Sequence, residues 1–365
     1  MNIVINAVLA FEKPRGVGRY INNLLPEIAK NDTENHYYVY YGKWMHEYEF
    51  LNIRQDNFHF IELDIKNTQL ARNLFLAAKL PLMAKKLNPD IFWLVDTQAI
   101  FFKPCKMVST VHDLAEFEVP EKYSRKQALL RRMIVRNQVR LSDKILTVSN
   151  YSKQDICQRF RIPEARVAVT YNTVDRVVSP DEVTPDRHDS SFLFVSETER
   201  AKNPQLLIKA YSMLPEEYQK IYSLRIAGNQ GNDHENCLQL IAETGIGDRV
   251  EFFGYLSREA LQDLYASAYA FVFPSLFEGF GLPVLEAMAQ GTPVLCSDSS
   301  SIPEVGGDAV LTFSPTSAEQ LCAQMVKLIE NPQLRETMIW KGLEQAGRFT
   351  KQNAALSTLN ALFER

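Results

Sequence analysis

No stretch of the 365 residues approaches the run of roughly 18 apolar residues that a membrane-spanning helix needs. The most apolar candidate, 71–86, carries Arg72, Lys79, Lys85 and Lys86, so no span is expected. Cysteine is scarce. Cys105, Cys157, Cys237, Cys296 and Cys322 are odd in number and irregularly spaced, which argues against a disulfide framework and a structural zinc site. A reducing cytoplasm fits that usage. The opening MNIVINAVLAF has no basic leader or small-residue cleavage site and reads as a buried strand, so a secretory signal is not expected. Internal repeats, low-complexity tracts and acidic clusters suited to a metal ion are also missing, and no metal is expected. The aromatic residues form no base-stacking module and the net charge is −4, so nucleic acid is not an expected partner.

What is present is an ordinary globular balance, 46% hydrophobic and 23% charged, in a chain longer than one core usually supports. Two domains are expected. Residues 1–180 hold 26 Lys and Arg against 19 Asp and Glu, and the remainder holds 14 against 25. The first half is therefore the better surface for an anionic partner. There, strand-like segments at 2–9, 90–95, 106–111 and 144–148 accompany helical patterns at 20–30 and 122–141. The second half has strands at 192–195, 222–227, 250–253, 270–274 and 293–297, with helices at 204–213, 235–244, 259–267 and 282–290 between them. Such alternation predicts mostly parallel sheets covered by helices, with ligands at the carboxyl ends of the strands. The polar, two-proline stretch 176–190 reads as a link between the two series. The expected division is a first domain at 1–178, a linker at 179–190 and a second domain at 191–345.

Three segments carry chemistry. Arg15-Gly16-Val17-Gly18-Arg19 joins the first strand to the first helix. It is either an ordinary βα turn or a loop whose glycines let a ligand approach a helix start. Arg200 and Lys202 follow a strand and precede a helix opening, where a diphosphate would find cations and aligned amides. Glu197 and Glu199 oppose that reading, and a solvated turn with local salt bridges is its alternative. In LFEGFGLPVLEAMAQGTPV, residues 276–294, Glu278 precedes a turn with two glycines and Glu286 falls inside the following helix. The turn can present the amides of Phe280, Gly281 and Leu282 to a phosphate or a sugar, and Pro283 suits a first helical turn.

In order along nearly the whole chain, these segments resemble the retaining two-domain glycosyltransferases known as glycosyl transferases group 1, or family 4. The likeness includes GVGRY at 16–20, TVHDL at 110–114, TVSNYSKQDI at 147–156 and the KN pair at 202–203. FFGYLS at 252–257 and EGFGLPVLEAMA at 278–289 complete it, with the two glutamates of the last as its specific mark. The resemblance implies a GT-B fold, α/β, with two Rossmann-like domains whose parallel sheets face across a central cleft. It implies that the second domain holds the nucleotide, that the first serves the acceptor, and that 346–365 forms a helix returning to the first domain. It gives Glu278 the donor-sugar hydroxyls and Glu286 the ribose. Arg200 and Lys202, with the amides near Phe280, Gly281 and Leu282, would hold the departing diphosphate. His112 would line the sugar site, and Gly16, Val17 and Gly18 would shape the loop facing donor phosphate and acceptor. Relatives commonly carry Gly-Arg or Gly-Thr where this chain has Ser196-Glu197, so Arg200 is assigned the missing positive charge. As a bare strand-end residue beside Asp113, His112 could equally be a neutral, hydrogen-bonded structural histidine.

The reaction so implied needs a nucleotide diphosphate sugar as donor, no tightly bound cofactor and no metal. Likeness to O-antigen and capsule mannosyltransferases favours GDP-mannose, with UDP-sugars left open. The acceptor would be a saccharide or a polyprenyl-diphosphate-linked saccharide. The segment 121–143 has seven Lys and Arg and two acids, with Ala128, Leu129, Ile134 and Val135 as apolar positions able to pack. It is either a solvated helix flank or a basic face for transient contact with anionic lipid, on the cytoplasmic side of the inner membrane. A related sugar phosphorylase, a nucleotide-sugar epimerase and a noncatalytic carbohydrate-binding scaffold are the competing functions.

Overall fold

The computed structural model describes residues 1–14, 16–120, 123–183 and 189–363. Arg15 of the glycine turn, residues 121–122 of the basic segment, 184–188 of the expected linker and the last two residues, 364–365, lie outside them. The chain divides into two compact units, one formed by Met1–Thr173 with Thr350–Arg365, the other by Val174–Phe349.

The first stretch runs β1 (Asn2–Asn6), α1 (Val17–Asn31), β2 (His36–Gly42), β3 (Phe58–Leu63), α2 (Gln69–Leu74), α3 (Leu80–Lys85) and β4 (Ile91–Leu94). It continues β5 (Lys106–Thr110), α4 (Ala115–Glu118), α5 (Arg125–Leu141), β6 (Lys144–Thr147), α6 (Asn150–Phe160) and β7 (Val167–Val169). Its sheet has the order β3-β2-β1-β4-β5-β6-β7 and is parallel throughout. The second unit runs β8 (Ser191–Val195), α7 (Pro204–Ser212), α8 (Glu216–Ile221), β9 (Ser223–Ala227), α9 (His234–Thr244), β10 (Val250–Phe253) and α10 (Arg258–Ser267). Then come β11 (Ala270–Phe273), α11 (Leu282–Ala289), β12 (Val294–Ser297), α12 (Ile302–Gly306), β13 (Val310–Phe313), α13 (Ala318–Glu330) and α14 (Pro332–Ala346). Its sheet, also parallel, has the order β10-β9-β8-β11-β12-β13. The last helix, α15 (Lys351–Phe363), packs on α1 in the first unit. Two parallel-sheet α/β units are what the alternation of the sequence predicts.

The central strands β4 and β11 are buried along their whole length, because helices cover both faces of a parallel sheet. In both units the strand order reverses beside the first strand, between β1 and β4 and between β8 and β11. Loops leaving the two strands at such a point turn to opposite faces and open a crevice at the carboxyl edge, where open α/β sheets hold their ligands.

Local chemistry sets the helix limits. Helix α5 begins at Arg125, later than the sequence pattern suggests, because Ser124 and Gln127 close a capping box around its first turn. Its buried positions include Ala128, Val135 and Val139, whereas Leu129, Leu130 and Met133 are exposed. The expected packing of Leu129 is therefore corrected. Between α2 and α3, residues 75–79 widen into a π turn just before Pro81, which has no N–H to give to the Ala77 carbonyl. The Phe101 amide donates to that carbonyl instead, at 3.1 Å. All five cysteines are free thiols, and burial, helped by Asp233, pushes Cys237 up to about 12.

The glycine turn before α1 has two separate reasons for its glycines. Gly16 caps the helix at φ 44°, a backbone region that other residues enter at a cost of about 1–2 kcal/mol. Gly18 has ordinary backbone, but a Cβ there would lie 2.8 Å from the Tyr48 hydroxyl oxygen. That hydroxyl donates to the Phe11 carbonyl at 3.2 Å and is not free to retreat. Gly18→Ala should cost roughly 1–3 kcal/mol in urea unfolding, as overpacking does. Adding Tyr48→Phe should return part of that loss; a double variant no more stable than the single one would refute the contact as cause.

Candidate active site

The crevice of the second unit is stitched shut at its base by its own loops. The loop after β8 ends in a short 3-10 turn, Arg200–Lys202, and the loop after β11 runs from Pro274 to Gly281. Leu276 N donates to Ala201 O at 2.9 Å, and the Asn203 amide donates to Pro274 O at 3.2 Å and Pro315 O at 2.8 Å. Asn203 does this from a left-handed backbone, φ 58°, a conformation that asparagine tolerates better than most residues. The second half of the KN pair thus ties the first loop to the end of β11.

Above this base, Lys202 Nζ lies 2.5 Å from Glu278 Oε1. The side chains are 21% and 14% exposed, so solvent screens the pair only in part. Lys202 also sits 5.8 Å from the ring centre of Phe273, at the last residue of β11. The Ser275 hydroxyl donates to Glu278 Oε1 at 2.7 Å. Backbone contacts fix the rest of Glu278. Its N–H donates to Ser300 Oγ at 2.9 Å, and its carbonyl accepts from Ser301 Oγ at 2.9 Å. Ser300 reaches its position at φ 52°, a strained backbone for serine. These serines escaped the sequence reading, although the run SDSSS at 297–301, directly after β12, was a signal for them.

Three residues further on, Gly281 caps α11 at φ 101° with Pro283 in the first turn. The helix start faces the chain with amides that have no partner four residues back. Phe280 is buried, edge-on to Phe349 with ring centres 5.6 Å apart, so its backbone is held by core packing. Glu286 lies in α11 and accepts from the Tyr265 hydroxyl at 3.2 Å. Tyr265 itself is buried, which fixes that carboxylate's direction.

Arg200 is placed differently. Its side chain is 66% exposed and Nε lies 3.5 Å from Asp233 Oδ1, while its backbone N–H donates to Asn232. The structure brings Lys202 and Glu278 together and directs Arg200 to the loop before α9. Glu197 is exposed. Its backbone is pinned by glycine, since a Cβ on Gly228 would lie 2.1 Å from Ser196 O and 3.0 Å from Glu197 N.

In the first unit, His112 follows β5. Its Nε2 is 3.1 Å from the Val95 carbonyl, and its ring meets Tyr20 edge-on at 5.1 Å. Gly16 is exposed, Val17 half-buried and Gly18 buried. Among the described residues, no group of three or more His, Cys, Asp or Glu is placed to hold a metal ion.

The profile described as "Glycosyltransferase Family 4" matches residues 14–177, and that described as "Glycosyl transferases group 1" matches 179–345. An O-antigen chain mannosyltransferase B of Escherichia coli is 32% identical over 275 residues, covering 72% of each chain. The chain belongs to this glycosyltransferase family. It is accordingly a nucleotide-sugar-dependent glycosyltransferase of GT-B architecture. Another family relative, the O-antigen chain mannosyltransferase RfbU of Salmonella typhimurium, is 31% identical over 60% of each chain. Among solved structures, Anabaena HepE in complex with UDP-glucose superposes with a TM-score of 0.73 at 18% identity, covering 100% of both chains. The lipopolysaccharide outer core galactosyltransferase WaaB gives 0.69 at 18% identity, covering 100% of this chain and 99% of the other. At such identities the structures speak for the fold.

The ion pair sets a stability test. Lys202→Ala leaves a largely buried carboxylate without its cation and should cost about 3 kcal/mol of unfolding free energy. The double variant Lys202→Ala/Glu278→Ala should lose less than the sum of the singles. Additive losses in urea titrations would mean that the two charges do not interact.

Proposed function

We propose that this glycosyltransferase retains configuration at the sugar carbon and moves mannose from GDP-mannose to a saccharide or polyprenyl-linked saccharide in cell-surface polysaccharide synthesis. The observation that carries the reading is the Lys202–Glu278 pair at the strand-order reversal of the second unit, beside the start of α11. Departure of a diphosphate leaves negative charge on its terminal oxygens and positive charge on the sugar carbon. A cation and a carboxylate held side by side answer both, provided the ligand parts them. Lys202, with the amides of Phe280, Gly281 and Leu282, neutralises the diphosphate. Glu278 turns to the donor-sugar hydroxyls and the developing positive charge, and Glu286 takes the ribose. Arg200 contributes to the diphosphate only by leaving Asp233. Because the leaving group's own oxygen can accept the acceptor's proton, no side-chain base or metal is required. His112 serves the sugar site, and the Gly16–Gly18 turn the donor phosphate and acceptor. The mannosyltransferase names of the relatives favour mannose.

A nucleotide-sugar panel tests this. GDP-mannose should raise Tm most and release GDP only when acceptor is present, with EDTA leaving the rate unchanged. Lys202→Ala and Glu278→Ala should each lower kcat/KM about 100-fold or more, and Glu286→Ala should weaken donor binding. Wild-type kinetics in all three variants would overturn the assignment.

The same reading places the enzyme transiently on the cytoplasmic face of the inner membrane, through α5. Leu129, Leu130 and Met133 are exposed beside Arg125, Lys126, Arg131 and Arg136 on that helix, the mixture that anionic lipid attracts. Among the described residues, no helix is long and apolar enough to cross a membrane. Co-sedimentation with anionic liposomes should be strong at low salt, weak at high salt and lost in a Leu129→Ser/Leu130→Ser/Met133→Ser variant. Equal pelleting of wild type and variant would refute α5 as the contact.

A further inference from the structure

The first unit has its own strand-order reversal, between β1 and β4, and its chemistry differs from that of the second. At the second unit's crevice a lysine meets a glutamate. Along the first unit's edge, β1 ends in Asn6, β4 continues into Asp96 and β5 into His112, from three neighbouring strands. Hydrogen bonds hold this edge in place. The Asn6 amide donates to Gln98 Oε1. Gln98 N donates to Gln138 Oε1 at 2.9 Å, and Gln138 Nε2 donates to the Asp96 carbonyl at 3.1 Å. His112 is anchored on the Val95 carbonyl, one residue before Asp96.

Asp96 is the residue that this framework does not account for. Its Oδ1 accepts the Thr97 N–H at 2.7 Å. Among the described residues, Oδ2 receives no hydrogen bond and the carboxylate has no ion-pair partner. It is half-buried at the crevice. Asparagine would keep the Thr97 bond without bringing a charge into a poorly solvated place, so the carboxylate is a net cost to the fold. Residues that cost stability and answer no structural need are found where a ligand supplies the missing partner.

We propose that Asp96 binds a hydroxyl of the saccharide acceptor through Oδ2. This rests on the glycosyl-transfer reading above and assigns a residue that the reading leaves unnamed. An ionised carboxylate is an acceptor only and takes the proton of a sugar hydroxyl as a charge-assisted hydrogen bond.

The charged and titratable groups around Asp96 are His112, Asp113, Arg131 and Arg72. Burial raises the Asp96 pKa, and His112 and Arg131 offset this in part. The carboxylate therefore forms only above that raised value, and acceptor affinity should improve as pH rises through it. For the same reason the charged form is the destabilising one, so its cost to the fold is felt at the alkaline end.

The test uses the full-length enzyme, GDP-mannose and whichever of a set of octyl α-mannosides supports GDP release. Asp96→Asn should raise the acceptor KM roughly tenfold or more, as losing a hydrogen bond to a charged group does. Donor KM and the rise in Tm produced by GDP-mannose should stay at wild-type values. Tm at pH 8 should be equal to or above wild type, and the rise of acceptor affinity with pH should flatten. An unchanged acceptor KM would overturn the proposal, as would a lowered Tm with donor and acceptor parameters falling together. A wild-type enzyme that no nucleotide sugar stabilises would instead overturn the proposed function, and this inference with it.

Discussion

A lysine and a glutamate 2.5 Å apart, on loops from neighbouring strands whose connections diverge, are the constraint around which the second unit is arranged. Two opposite charges so far out of water attract strongly only while their geometry is held. Much of the surrounding sequence holds it. Asn203 binds one loop to the other, Ser275 shares the carboxylate, and Ser300 and Ser301 fix the glutamate's peptide from the far side of β12. The positive φ of Ser300 is intelligible in this light, since local strain of order 1 kcal/mol persists where surrounding bonds over-determine the backbone. A pair held this way is pre-arranged for a ligand of divided charge, and its own attraction is what such a ligand must displace.

Legibility in the sequence followed burial only in part, since the exposed edge strand β10 was read and the inner strand β2 was not. Strands β1, β4 to β6 and β8 to β12 show as runs of apolar or β-branched residues, and the helices read from the pattern end within a few residues of it, whereas α6, α13 and α14 were among those not read. Strands β2, β3, β7 and β13 escaped. HYYVYYG carries its bulk as tyrosine, FHFIEL interleaves His59 and Glu62 because one sheet edge is partly wet, and VAV is only a fragment. VLTF is half-exposed at the opposite edge of the other sheet. Edge strands do not need the continuous apolar signal that a strand covered on both faces requires.

The same reasoning separates the site residues. Glu278 in a loop and Glu286 in a helix could be read from EGFGLPVLEAMA, because glycine and proline mark the boundary between them. The direction of Arg200 could not. Its partner Asp233 is set by how the loop before α9 folds back against residues 196–199, through the absent side chains of Gly228 and Gly231. Asp96 was invisible for a related reason, since only the strand order brings it beside His112. Charge and spacing along a chain report local structure well and say little about which loops meet.

Helix α15 belongs to the unit whose other residues are Met1–Thr173, so that unit is made of two pieces with all of the second unit between them. On a ribosome the second unit is a continuous stretch that can close as soon as it emerges. The earlier-made unit must wait with α1 uncovered, its buried Tyr20 and Leu24 among the residues affected, until α15 is synthesised. A chain cut at residue 349 would hold all of the second unit and an incomplete first.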